Sequence, residues 1–313
     1  MPDLSLKSHP LDVLEFVREH CSTGVAIVFV TDVSGGSVRS PGIRMAVSSD
    51  GSTIGYVSNG CIEADVIMHC LRAIKERRPA AISYGLGSEN FDLRLPCGGQ
   101  IHLLLVPVSS NIPLDATIAT LAGRRNLTLA LYADGRFSSG SDISSVDPAD
   151  WTFRIIPKIR LFISGIGSET MILAEIARTT DMEVIVQSPD GATLDLARAS
   201  GFPVRQFLGL SNTPLFEADA LTAHALMFHD HEWEVKLLTE ALRSEAFYVG
   251  ALGSIRAQEN RFQALLAAGL CKENVERLKA PIGLVPRLRD PHLLAISVVA
   301  EIAAEFQKQF GSF

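Results

Sequence analysis

The sequence predicts a two-domain α/β chain in which an N-terminal α/β domain is followed by an open, doubly wound parallel sheet. Three observations carry this. At 313 residues the chain exceeds what one hydrophobic core commonly organises. From about residue 160 onwards, short apolar runs alternate with amphipathic stretches, the pattern of strands feeding crossover helices. Between them, residues 138–150, SSGSDISSVDPAD, carry neither period and read as a linker or exposed loop. That places the boundary near residue 145, with domains of 1–145 and 146–313.

Taken in order, residues 11–20 form a helix with Pro10 at its first turn. Residues 25–30, VAIVFV, are a continuous apolar run and hence a buried strand. Asp50-Gly51 turns a hairpin between residues 43–47 and 53–57. Ile62, Val66, Ile67, Cys70, Leu71 and Ile74 fall at helical spacing, and Arg77-Arg78-Pro79 stops that helix. Residues 81–84 and 101–108 read as strands, 114–122 as a helix, and 127–132 with Phe137 as a hairpin around Asp134-Gly135. In the second half the strands are 160–164, 183–187, 220–227 and 247–249; the helices are 170–178, 192–199, 232–243, 255–268 and 290–309. This alternation makes the second domain Rossmann-like, with helices on both faces of its sheet.

Composition excludes some functions. Acidic residues outnumber basic ones, 35 to 28, and the charges are interspersed, which argues against general nucleic-acid binding. The first residues, MPDLSLKSHPLDVLEF, lack the blocks of a signal peptide, and no apolar run is long enough for a membrane span. The five cysteines, Cys21, Cys61, Cys70, Cys97 and Cys271, are odd in number and never form a C-x-x-C pair. A reducing, cytoplasmic setting fits them better than a disulfide scaffold or a structural zinc.

The stretch 34–63 carries the first candidate site. A loop rich in glycine and serine, with Gly36, Ser37, Arg39 and Arg44, can bring backbone and guanidinium groups to an anion. It leads to Gly60-Cys61, read as the first turn of a helix, where free amides and the helix dipole favour a thiolate. The plainer account is a tight turn with a buried cysteine acting as a small hydrophobe. Cys97-Gly98-Gly99 places a second cysteine beside paired glycines at a strand edge.

In the second half, Gly165-Ile166-Gly167 opens a dinucleotide fingerprint that Thr170 does not complete, and no acid ends the next strand, where Gln187-Ser188-Pro189 stand ahead of Asp190. The turn is either a phosphate approach to a helix N-terminus or a tight connection only. Gly250, Gly253 and Ser254 form a further turn expected on the same sheet edge. His229-Asp230-His231 admits a metal reading, against the plainer one in which Asp230 caps the following helix.

In combination these motifs resemble the XdhC/CoxI family of accessory proteins to xanthine dehydrogenase and related molybdenum hydroxylases. The matching residues are Gly36-Ser37-Val38-Arg39 with Pro41-Gly42 and Arg44-Met45, Gly60-Cys61-Ile62-Glu63 and Cys97-Gly98-Gly99. Further along they are His229-Asp230-His231, Tyr248 through Ser254, Pro281-Ile282-Gly283-Leu284, and Ala295-Ile296-Ser297 with Ala300-Glu301-Ile302. The resemblance spans roughly residues 24–108 and 160–303. Departures are Asn59 where the family has glycine, Leu95-Pro96 before Cys97, Ser168 in place of a histidine, and no aspartate near Ser188.

The resemblance implies a carrier of the molybdenum cofactor (molybdopterin) that protects it during sulfuration and delivers it to an apo molybdenum hydroxylase of xanthine dehydrogenase type. A cysteine desulfurase is the implied sulfur donor, and the carrier is not itself a catalyst. Cofactor contacts are then expected from the turns named above, with Cys61 as a molybdenum-proximal thiol, since thiolate is a soft donor. NAD(P) is not expected, and assembly into homo-oligomers is compatible with the sequence. The competing function is a Rossmann-type NAD(P)-dependent oxidoreductase acting on a small molecule; a third is a scaffold that docks a partner without binding cofactor.

Overall fold

A computed structural model describes residues 7–35, 40–58, 60–85, 98–108, 114–140, 148–207, 217–228 and 231–311. The chain divides into two compact units between Pro157 and Lys158. The sequence pattern places the boundary near residue 145. It falls later because Trp151–Ile155 pairs antiparallel with Leu127–Leu131 and so stays with the first unit.

The first unit is built on an antiparallel sheet of order β3-β2-β1-β5-β4. Its strands are β1 (Val25–Ser34), β2 (Gly42–Ser48), β3 (Thr53–Gly55), β4 (Ala80–Tyr84) and β5 (Gln100–Val108). Helix α1 (Pro10–His20) starts where His9 Nδ1 accepts from Leu11 N (3.1 Å), with Pro10 at the first position. Helix α2 (Glu63–Glu76) ends at Arg77 in left-handed conformation, as the Arg-Arg-Pro run predicted. Helix α3 (Leu114–Ala122) precedes a smaller sheet, β7-β6-β8, of β6 (Leu127–Leu131), β7 (Phe137–Gly140) and β8 (Trp151–Ile155). The expected linker is thus part strand: Ser138 to Gly140 lie in β7, and Asp150 Oδ2 accepts from Ala133 N (2.8 Å), while residues 141–147 lie outside the described ones.

The apolar run of β1 is explained by two cores. Val25, Ile27 and Phe29 join α1, α3 and the small sheet, whereas Ala26, Val28 and Val30 face α2 with Val66 and Cys70. Each large aliphatic side chain so buried contributes roughly 1.5–3 kcal/mol relative to exposure.

The second unit holds six parallel strands in the order β11-β10-β9-β12-β13-β14. They are β9 (Arg160–Gly165), β10 (Glu183–Ser188), β11 (Val204–Gln206), β12 (Thr222–Met227), β13 (Tyr248–Ala251) and β14 (Leu278–Lys279). Counted from β9 the order is 3-2-1-4-5-6, the doubly wound arrangement expected. Helices α4 (Ser168–Arg178) and α9 (Pro291–Phe310) share one core with Leu161, Ile163, Ala223 and Ala225. Helices α6 (His231–Arg243), α7 (Ile255–Ala267) and α8 (Lys272–Glu276) close the other around Leu226, Val249 and Leu265. Helix α5 (Gly191–Ala199) follows β10. Among the described residues, no helix is long and apolar enough to cross a membrane.

Candidate functional site

Strand direction alone gathers the matching loops of the first unit. Ser34 at the end of β1 pairs with Gln100 at the start of β5, and Val30 pairs with Gly42 at the start of β2. Tyr84 at the end of β4 pairs with Ile101, and β3 runs out beside Arg44, whose carbonyl accepts from Tyr56 N (3.1 Å). The loop after Ser34, the turn around Cys61 and the segment before Gln100 therefore leave the same end of the sheet. Backbones close in there: a Cβ at Gly35 would lie 3.0 Å from the Gly99 Cα, and one at Gly85 would collide with the Gly99 carbonyl oxygen.

The Cys61 turn is held by a carboxylate. Glu63, buried, accepts from Val57 N (3.3 Å) and Ser58 N (2.6 Å) on Oε1 and from the Ser58 hydroxyl (2.5 Å) on Oε2. The same hydroxyl accepts from Cys61 N (3.1 Å) and, at longer range, Ile62 N (3.4 Å). Cys61 itself is a free, exposed thiol. It sits just before the helix, not in its first turn, because Ile62 (φ −125°, ψ −4°) is the residue that caps α2. Among the described residues, and apart from the immediate chain neighbours, no atom lies within 4 Å of where a Cβ would stand at Gly60 (φ +93°) or Gly98 (φ +68°), so both present open backbone. Cys70, by contrast, is buried, which pushes its thiol up to about 12.

Arg44 lies at this end too, but its Nε donates to the Ser40 carbonyl (2.8 Å) and one terminal nitrogen to that of Pro41 (3.1 Å), so part of its fork holds the loop. Gly36, Ser37, Arg39 and Cys97 lie outside the described residues. Several side chains here were not singled out from the sequence. Tyr84 donates to Asp65 Oδ2 (2.6 Å), and His69 Nε2 stands 3.5 Å from the same oxygen. Ser83 Oγ and His102 Nδ1 lie 2.7 Å apart. A cavity of about 580 Å³ runs along β4 past His69, Arg72, Ser83, Tyr84 and His102. The i,i+4 spacing of Asp65 and His69 was a readable signal; the partners on β4 and β5 needed the strand register.

In the second unit Gly165 ends β9 and Gly167 (φ +78°) caps α4, its N–H donating to Thr193 Oγ1 (2.9 Å). A Cβ at Gly165 would strike the Thr170 hydroxyl, so the bulk at Thr170 is accommodated by the absence of bulk at Gly165. Asp190 caps α5 by accepting from Thr193 N (2.8 Å) and Thr193 Oγ1 (2.6 Å), and these bonds hold its carboxyl below the usual range. The end of β10 offers Gln187, whose Oε1 accepts from Ser164 Oγ (2.9 Å), and Ser188, both fully buried. Gly250 lies within β13, with Gly253 and Ser254 exposed just beyond it. His229 and Asp230 lie outside the described residues, among which no group of three or more His, Cys, Asp or Glu side chains could hold a metal ion.

Residues 161–302 match the XdhC Rossmann domain, and residues 22–85 match the XdhC and CoxI family. The chain is 33% identical over 299 residues to the molybdenum cofactor insertion chaperone PaoD of Escherichia coli (strain K12), across 93% of this chain and 87% of that protein. It is 25% identical over 311 residues to a probable xanthine dehydrogenase subunit of Bacillus subtilis (strain 168), across 87% and 90% of the two chains. A crystal structure of a xanthine dehydrogenase from Bacillus halodurans has the same fold, with a TM-score of 0.78 over 96% of both chains at 22% identity.

Proposed function

Because the chain belongs to the XdhC and CoxI family, we propose that it is a molybdenum-cofactor chaperone. It binds molybdopterin, shields it during sulfuration by a cysteine desulfurase, and hands it to an apo molybdenum hydroxylase of xanthine dehydrogenase type. The observation that carries this reading is the convergence of the Gly35, Cys61 and Gly98-Gly99 segments at one end of the antiparallel sheet.

The donor set suits the cargo. Open backbone at Gly60 and Gly98 can approach a phosphate or a pterin edge, and the exposed Cys61 thiol is a soft donor for a dithiolene-bound metal. The 3-2-1-4-5-6 sheet favours a second reading, a nicotinamide-dependent oxidoreductase. Against it, no acid ends β10, and Asp190, the first carboxylate after that strand, is committed to capping α5.

The test is the molybdenum and pterin content of protein purified anaerobically from cofactor-producing cells, per folded protein. Wild type should carry both. Cys61→Ser, nearly isosteric, should lose most of them, Cys97→Ser less, and Cys70→Ser should lower thermal stability instead. Full retention by Cys61→Ser would reduce its turn to a structural feature.

A further inference from the structure

The Cys61 turn has no helix to hold it and is exposed, yet its backbone is fixed by two buried side chains. A hydroxyl has one proton to donate and two lone pairs to accept with. At Ser58 all three are used: the proton goes to Glu63 Oε2, and the lone pairs receive the N–H groups of Cys61 and Ile62. Glu63 Oε1 meanwhile takes the N–H groups of Val57 and Ser58, on the other limb of the same turn. One carboxylate thus clamps both limbs, directly on one side and through Ser58 on the other.

We infer that Glu63 and Ser58 are positioning residues for Cys61, setting where its thiol meets the cofactor. The assignment rests on the carrier reading above and adds to it the residues that orient the thiol.

The chemistry demands a carboxylate at Glu63. An amide of the same shape must turn its NH2 either towards the Val57 and Ser58 amides or towards Ser58 Oγ. The first opposes donor to donor. The second sets a third donor against a hydroxyl whose lone pairs are full, and orphans the hydroxyl proton. Glu63→Gln therefore breaks the relay with almost no change of volume, and Ser58→Ala removes its middle.

The experiment compares wild type, Glu63→Gln, Ser58→Ala and the double variant with Leu121→Ala, a destabilising control buried in the core on the opposite face of the sheet. Amide hydrogen exchange is followed over residues 58–63, with β9 in the second unit as reference, alongside molybdenum and pterin per folded protein. Both single variants should speed local exchange and lower cofactor retention about tenfold, the scale of lost outer-shell support. The double variant should be little worse than either, because the relay is already broken. Leu121→Ala should melt earlier yet keep its cofactor.

Unchanged exchange at 58–63, or cofactor retention equal to wild type in folded Glu63→Gln and Ser58→Ala, overturns the assignment. Should wild type itself carry no cofactor, the carrier reading fails, and the exchange arm still decides whether the relay fixes the Cys61 backbone. If Glu63→Gln does not fold, Ser58→Ala decides by the same two readouts.

Discussion

The Tyr84 hydroxyl donates a 2.6 Å hydrogen bond to Asp65 Oδ2, joining the last residue of β4 to the first turn of α2. Tyr84 is fully buried, and burial, followed by the bond to Asp65, pushes its phenol well above the ordinary range. Two of the loops at the candidate site are thereby tied at their bases. Tyr84→Phe keeps the ring and deletes the bond, while Asp65, one-third exposed, can turn to water. The expected cost is about 1 kcal/mol, or roughly 2–4 °C in the melting temperature of a domain of this size. Thermal denaturation checks it; an unchanged melt would mean the bond contributes nothing.

Two glycines at the same end of the sheet separate conformational strain from collision. Among the described residues nothing beyond its chain neighbours lies within 4 Å of a Cβ at Gly60 (φ +93°), so Gly60→Ala is expected to meet the left-handed backbone penalty alone, about 1–2 kcal/mol. Gly85 (φ +114°) abuts the Gly99 carbonyl, and Gly85→Ala adds a backbone collision that forces β4 and β5 apart at their ends. It should be distinctly the more destabilising of the two in urea denaturation. Equal losses would show that the 85 and 99 segments can separate freely.

Acid should weaken the second unit through His224. This side chain is fully buried, stacks on Phe162 with ring centroids 5.2 Å apart, and burial lowers its pKa from 6.5 to about 3. The folded form holds the ring neutral, whereas the unfolded chain takes up a proton below about pH 6.5, so stability falls as pH drops from there towards 3. The slope from this one group approaches 1.4 kcal/mol per pH unit. His224→Phe should flatten the acid limb of stability measured by urea denaturation between neutral pH and pH 4. An identical slope would assign acid sensitivity to other groups.

Asp190 offers a test of the second unit's chemistry. If its carboxylate serves only as a cap, Asp190→Ala should cost about 0.5–2 kcal/mol by loss of the Thr193 bonds. NAD and NADP should show no saturable binding in the low micromolar range with or without the substitution. Tight binding that the substitution abolishes would favour the oxidoreductase reading.

The strongest patterns were legible in the sequence: helix α2 and strand β5 stand close to where the apolar residues put them, and β1 starts as expected but runs on past Val30 to Ser34. Three short strands were not, although β3, β4 and β13, equally short, were. β8 alternates correctly, with Phe153 and Ile155 inward, but five residues behind a polar run give too weak a period. β11 and β14, of three and two residues, exist only because a neighbouring strand supplies their hydrogen bonds. At the site, Gly60, Cys61 and Gly98-Gly99 were readable as turns that admit close approach. The roles of Glu63, Asp65 and Tyr84 were hidden, because each depends on a partner brought near by register or by a folded-back side chain.

The alternation of β1 between two cores bears on how this protein could diverge. A slip of one residue would exchange every side chain of the strand between compartments of different shape, so its alignment is dictated from both sides. The pairing of Val25 through Val30 is then fixed by the interior, and beyond a bulge between Val30 and Asp32 the strand runs on to Ser34 beside Gln100, ahead of the loops that follow. Those loops can change in composition or length without moving their anchors. Selection for a different cargo could act on them while the sheet beneath stays as it is.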